Sequence, residues 1–254
     1  MKELRRSVRY VLAVMGATAL ATVGSAPVGH AAVPGPRTDL TVTAITPAAG
    51  DVVGVAAPVE VTFAEPVTNR ARAEKSIDIE SAKTPTGQFT WLSNQVVQWV
   101  PDHYWPAHSP ISVTADGFST SFETGSAVVG VADISAHTFT VSIDDQVVRQ
   151  MPASMGKSKY PTPIGSFTAL AKENPVIMDS RTIGIPLSDP EGYKLTVYDA
   201  VRVTWGGVYV HSAPWSVGSQ GNSNVSHGCI NLSPDNADWY YNTVRIGDPI
   251  IVQA

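Results

Sequence analysis

Val201-Arg202-Val203-Thr204-Trp205-Gly206-Gly207-Val208-Tyr209-Val210-His211 is the stretch that decides the fold class. Apolar residues at 201, 203 and 205 alternate with polar ones, a Gly-Gly pair follows, and Val208 to Val210 return. Side chains on a strand alternate between faces with period 2, whereas a helix needs period 3.6. The stretch therefore predicts two strands joined by a two-residue turn at Gly206-Gly207. The returning strand ends on His211.

Upstream, the same alternation recurs at Val59, Val61 and Phe63, at Ile77 and Ile79, at Phe89 and Trp91, at Val97 and Trp99, and at Ile111 and Val113. Turn residues separate these runs, and no long 3.6-period segment competes. This spacing predicts an antiparallel β-sandwich of immunoglobulin size over residues 40–123. Glu123 to Ser126 form a boundary, and strands resume at Phe139, Val141 and Ile143 in a second β-rich domain over 124–254. Lys172 to Tyr193, with three prolines and two glycines, read as a long functional or mobile loop. Downstream, Ser233-Pro234-Asp235 carries an N-cap, a first-turn proline and a first-turn acid, so a helix starts there. The expected class is mainly β, a sandwich followed by a β-rich domain with one or two short helices.

The 254-residue chain has room for two ordinary domains, and 43% hydrophobic residues supply their cores. A formal charge of -5, with basic residues scattered beyond the N-terminus, excludes the basic footprint of a nucleic-acid binder. Residues 1–31 differ in character. Lys2, Arg5, Arg6 and Arg9 precede an uncharged run from Tyr10 to Val23, and Gly29-His30-Ala31 offers a cleavage site. This is the pattern of a secretory signal peptide or, if uncleaved, of a membrane anchor. Either way the protein is expected outside the cytoplasm, in the periplasm or cell wall, with residues 32–39 as a linker. No cysteine lies near residue 30, so lipid attachment through an N-terminal Cys is not expected.

Cys229 is the chain's single cysteine. In an exported protein it is an inert core residue, a link to another chain, or a reactive thiol. A nucleophilic thiol needs a base within hydrogen-bond reach, and His211 and His227 are the nearby candidates. On an extended strand His227 and Cys229 would share a face. Gly228 permits a tight turn, and the N–H groups of Gly228 and Cys229 are candidate oxyanion donors. The helix at Ser233 would aim its positive end toward the thiol. Two histidines and one cysteine would equally suit zinc with an open position. On pattern alone these readings stay open.

Ser226-His227-Gly228-Cys229-Ile230-Asn231, preceded by His211-Ser212, closely resembles the signature of the L,D-transpeptidase catalytic domain. Met155-Gly156-Lys157 with Thr162-Pro163-Ile164-Gly165-Ser166-Phe167 resembles a second segment of that family, and the likeness spans residues 126–252. The sandwich is similar to the immunoglobulin-like domain of actinobacterial members. The resemblance implies that Cys229 attacks the carbonyl of the third-residue L-centre, a diamino acid, in a tetrapeptide donor stem of peptidoglycan. Terminal D-Ala leaves and a thioester remains. A side-chain amine of a neighbouring stem then attacks to give a 3→3 cross-link. Water in that role would make an L,D-carboxypeptidase, and a vestigial thiol would leave a non-catalytic wall-binding module.

The same resemblance assigns roles. His211 shuttles the proton, and Ser212 orients its ring through the backbone carbonyl. Ser226, His227 and Asn231 shape the thiol's surroundings. Tyr193 belongs to a substrate lid with its hydroxyl near the oxyanion, and Met178 and Trp215 line the cleft. No cofactor or metal is implied, and carbapenem β-lactams are implied as covalent inhibitors of Cys229. Ile183 stands where lid sequences often carry an aromatic, a departure that bears on substrate and inhibitor preference.

Overall fold

The computed structural model of the chain describes residues 40–254, so the expected signal peptide or anchor and the linker lie outside the described residues. The first domain contains β1 (Val42–Thr46), β2 (Val52–Val53), β3 (Val59–Phe63), α1 (Arg70–Lys75), β4 (Ile77–Ser81), β5 (Gly87–Trp91), β6 (Val96–Pro101), β7 (Pro110–Ala115) and β8 (Phe118–Thr124). One sheet runs β1-β3-β6-β5 and the other β2-β8-β7-β4. The alternation read from sequence builds their inner faces. Val59, Val61 and Phe63 on β3 and Ile111, Val113 and Ala115 on β7 are buried, with more exposed residues between them. α1 has no helical signature: Arg-Ala-Arg-Ala-Glu-Lys buries only Ala73. Asn69 makes the turn locally, its side chain accepting from Arg72 N–H at 3.0 Å.

The second domain contains β9 (Val128–Asp133), β10 (Thr138–Ile143), β11 (Gln146–Pro152), β12 (Gly165–Thr168), β13 (Ala171–Glu173), β14 (Val176–Asp179), β15 (Lys194–Val197), β16 (Ala200–Arg202), β17 (Tyr209–Ser212), β18 (Ile230–Leu232), α2 (Pro234–Thr243) and β19 (Pro249–Gln253). A five-stranded sheet runs β11-β10-β9-β19-β12, a four-stranded sheet runs β13-β16-β17-β18, and β14 pairs with β15. Phe139, Val141 and Ile250 of the first sheet share one core with Val201, Val210 and Ile230 of the second. Tyr240 of α2 completes it, edge-on to Phe139 with ring centroids 4.8 Å apart.

Two sequence expectations are corrected here. β16 stops at Arg202, and Trp205 is 75% exposed at the corner of the turn instead of continuing a strand. The turn closes through Gly207 N–H to Thr204 O at 3.2 Å, so Trp205 and Gly206 are its central residues and Gly207 follows with φ +98°. Residues 172–193 are likewise not a structureless loop. They hold β14, a 3-10 turn at Ser180–Ile183 and a lid tip, and the prolines and glycines mark the turns between.

The two domains meet main chain to main chain. Gly54 N–H donates to Ile246 O at 2.8 Å and Ala56 N–H to Gly247 O at 2.9 Å. A Cβ on Gly54 would sit 2.0 Å from Asp248 N, so no side chain fits at this seam. Asp248 is fully buried beside it, and burial pushes its carboxyl up to about 7.

Candidate active site

β17 and β18 run parallel, with Val210 opposite Ile230 and His211 opposite Asn231. Cys229 enters one step before β18 and so lies diagonal to His211. Strand spacing and rise place such diagonal Cα atoms about 8 Å apart, a gap two side chains can bridge. Every residue of both strands is buried, which gives the pair a rigid floor.

His211 is 2% exposed, and its Nδ1 lies 2.8 Å from Ser212 O. A carbonyl only accepts, so the ring proton sits on Nδ1 and Nε2 is bare. Burial pulls the imidazole down to about 4, against a smaller opposing pull from the Ser212 carbonyl. At neutral pH the ring is therefore an uncharged base. Cys229 is half-buried, and desolvation pushes its thiol up to about 11, partly offset by the Tyr209 N–H. Its Sγ–H donates to Gly207 O at 3.6 Å. The resting state is thus a neutral thiol and a neutral imidazole lining one chamber, not a preformed thiolate. Deprotonation has to accompany attack.

The turn before the thiol is held from both sides. Gly228 takes φ +117°, a conformation that favours glycine. Ser226 Oγ accepts from Gly228 N–H at 3.1 Å and donates to Cys229 O at 2.6 Å. The Gly228 N–H is therefore engaged inside the turn in the absence of a ligand. The Cys229 N–H takes no part in these bonds. Thr162, 3% exposed, accepts from Gly156 N–H and donates to Gly228 O, both at 2.9 Å. Sequence reading gave Thr162 no role; its place in the Thr-Pro-x-Gly segment was the available signal.

Two further expectations fail on geometry. Gly228 breaks the extended backbone, so His227 and Cys229 do not share a strand face. His227 instead lies between the rings of Tyr160 and Tyr193, at 4.8 and 5.1 Å, with its Nε2 unpartnered among the described residues. The three residues of β18 carry the chain about 10 Å from Cys229 before α2 begins. The helix field fades within its first turn and does little for the thiol at that distance.

Two chambers open on the sulfur. One, of about 340 Å³, is lined by Lys157, Glu191, His211, Trp215, Ser226 and Asn231. The other, of about 410 Å³, is lined by Asp179, Ile183, Arg202, Trp205 and Gly207. Met178, Tyr193, His227 and Cys229 line both. Burial pushes the Tyr193 hydroxyl up to about 12, so it remains a proton donor. Trp215 is half exposed, its ring 6.0 Å from that of His211. Asn231 lines the first chamber; its Nδ2 donates to Ser216 Oγ at 3.1 Å, while its buried Oδ1 has no partner among the described residues. The structure thus brings all the expected site residues to one cleft except Ser212 and Gly228, which support it from behind. Among the described residues no three His, Cys, Asp or Glu side chains gather as metal ligands.

Comparison with known proteins agrees with this geometry. Residues 127–252 match the model of the L,D-transpeptidase catalytic domain, and residues 34–120 match that of a bacterial Ig domain. The chain is 57% identical over 249 residues to L,D-transpeptidase 1 of Mycobacterium tuberculosis, covering 98% of this chain and 99% of the relative. A solved L,D-transpeptidase from Mycobacterium smegmatis is 70% identical with a TM-score of 0.81, over 85% of this chain and 99% of that one. A second, solved in complex with imipenem, is 60% identical with a TM-score of 0.80, over 84% of this chain and 99% of that one.

Proposed function

The chain belongs to the L,D-transpeptidase family, and from that premise we propose that it joins peptidoglycan stems through a thioester on Cys229. The carrying observation is one cleft that holds a neutral thiol and a buried imidazole whose tautomer is locked by the Ser212 carbonyl. The Sγ attacks the carbonyl of the third-residue L-centre in a tetrapeptide donor, and its proton passes to His211 Nε2. Charge develops on the carbonyl oxygen beside the Cys229 N–H and the Tyr193 hydroxyl. Collapse breaks the C–N bond, His211 returns the proton to the amine, and D-Ala departs. The side-chain amine of a neighbouring stem then attacks the thioester, gives its proton to His211, and regenerates the thiol.

Entering and leaving amines must occupy the same place relative to the thioester, and both must reach His211. His211 lines only the first chamber. We therefore assign the first chamber to the leaving D-Ala and then the acceptor amine, and the second to the body of the donor stem. Two openings favour an amine acceptor over water, and so transfer over hydrolysis. The imipenem complex of a relative supports acylation of Cys229 by carbapenems here. Such chemistry supports action at the cell wall, in line with the export pattern of residues 1–31. Intact-protein mass spectrometry after mixing with a tetrapeptide stem tests the reading. A mass gain equal to the stem minus D-Ala is expected, with cross-linked dimer on adding acceptor. An unchanged protein mass, or trimmed tripeptide alone in the presence of acceptor, would overturn it.

A further inference from the structure

The tip of the lid, residues 186–192, is held together by its own turns. Asp189 N–H donates to Pro186 O at 3.0 Å, Gly192 N–H to Asp189 O at 2.8 Å, and Glu191 N–H to Asp189 Oδ1 at 2.8 Å. Glu191 ties this tip to the catalytic body. Its Oε1 accepts from Lys157 Nζ at 2.7 Å and its Oε2 from Lys159 Nζ at 2.9 Å. Both ammonium groups lie over the ring of Tyr160, at 5.5 and 5.1 Å from its centroid. Lys157 is fixed to the thiol's turn, its N–H donating to Ser226 O at 3.1 Å. Lys157 and Glu191 both line the first chamber, the one that contains His211.

Two ammonium groups thus converge on one carboxylate at the edge of the chamber where the leaving group departs. Glu191 does not neutralise the pair: two positive charges against one negative leave a surplus of one. A salt bridge that only closed the lid would need one lysine. A carboxylate with each oxygen on a separate cation is also the arrangement a bound amino-acid carboxylate would adopt.

We propose that Lys157 and Lys159 form the subsite for the terminal carboxylate of the donor stem, and that Glu191 occupies this subsite when no stem is bound. The inference rests on the donor reading above and adds how the chamber selects a free terminus. The D-Ala carboxylate lies two bonds from the scissile nitrogen, so seating it on the lysines holds that nitrogen on the His211 side. Glu191 is displaced as the stem enters, which releases the lid tip to reclose over the substrate. Lys157 and Lys159 are specificity residues here, and Glu191 is a competitor built into the lid.

Acylation of Cys229 under single-turnover conditions, followed by mass spectrometry, tests this with the full chain. The probes are a tetrapeptide stem with a free terminal carboxylate, the same stem with a terminal amide, and the same stem amidated only at the side-chain carboxyl. The free stem is expected to react about tenfold more efficiently than the terminal amide, through tighter binding. Lys157→Met with Lys159→Met should erase that preference by slowing the free stem alone. Glu191→Gln is expected to act in the opposite direction, tightening binding of the free stem about threefold, because a neutral amide competes less well for two cations. A purely structural ion pair predicts that Glu191→Gln and the lysine variants change binding in the same direction, and that result would overturn the proposal. Equal reaction of free and terminally amidated stems in the wild-type chain would also overturn it. So would a loss confined to the side-chain amide, which would move the subsite to that carboxylate. If neither the free stem nor its amides acylate Cys229 while imipenem does, the donor reading falls, and this proposal with it.

Discussion

The floor and the lid of the cleft are built on opposite principles. On the floor, β17 and β18 bury every residue, and main-chain pairing sets where His211, Cys229 and Asn231 stand. In the lid, residues 180–193 are held by scattered turn bonds, main-chain ones such as Ser180 N–H to Tyr193 O at 2.9 Å and side-chain ones together. Ser180 Oγ donates to Ile185 O at 2.9 Å and accepts from Tyr193 N–H at 3.0 Å, and Glu191 reaches across to two lysines. The contrast separates chemistry from selection. On the mechanism proposed above, the floor would govern whether the thiol reacts, and the lid with what.

The largest expected effect falls on the floor. Cys229→Ala should abolish acylation by stems and by imipenem alike, read as the absence of any covalent adduct. His211→Gln should slow acylation by about 10²–10⁴-fold with both electrophiles, the usual loss for a general base. A variant that lost only the stem reaction would break the comparison, because it would give a floor residue a lid residue's phenotype. The pH profile sharpens it. His211 is held down to about 4 and the thiol up to about 11, so acylation should stay level from about pH 5 to pH 10. Below pH 4 protonation of the base should cost about tenfold per pH unit. An acid limb near pH 6.5 would mean that the ring is solvated and not buried.

Smaller effects lie beneath and above the thiol. Thr162→Val removes the donor to Gly228 O and the acceptor for Gly156 N–H, leaving buried main-chain groups without partners. A stability loss of about 1–3 kcal/mol is expected by thermal denaturation, with slower acylation by both electrophiles. Ser180→Ala should cost about 1 kcal/mol or less globally and weaken stem binding while the imipenem rate stays near wild type. Equal damage to both reactions would deny the lid its separate role.

The same contrast explains what was legible in sequence. Period-2 alternation recovered the sandwich, because burial on one face writes itself into every second residue. In the floor, β17 was read from the return after the glycine pair, and β18 was not read, because strands that bury every residue carry no alternation. Cys229, His211 and Ser212 could be located because the floor's short parallel pairing keeps them within two segments of chain. The lid was opaque. Its order comes from short main-chain turns, from Ser180 and from a glutamate whose partners lie 34 and 32 positions away, and a periodic pattern carries none of these. The engaged Gly228 N–H was missed for a related reason, since Ser226 turns its hydroxyl back onto its own turn. α1 was missed because a six-residue polar helix buries too little to leave a stripe.

The seam at Gly54 has a mechanical consequence. Main-chain bonds to Ile246 and Gly247 resist shear whatever the surrounding side chains become, and they anchor directly ahead of β19 in the large sheet. Load applied to the sandwich passes into the catalytic body through these bonds. The two halves should therefore melt in a single calorimetric endotherm, and the sandwich should hold the thiol at a constant standoff from whatever grips the chain's N-terminal side.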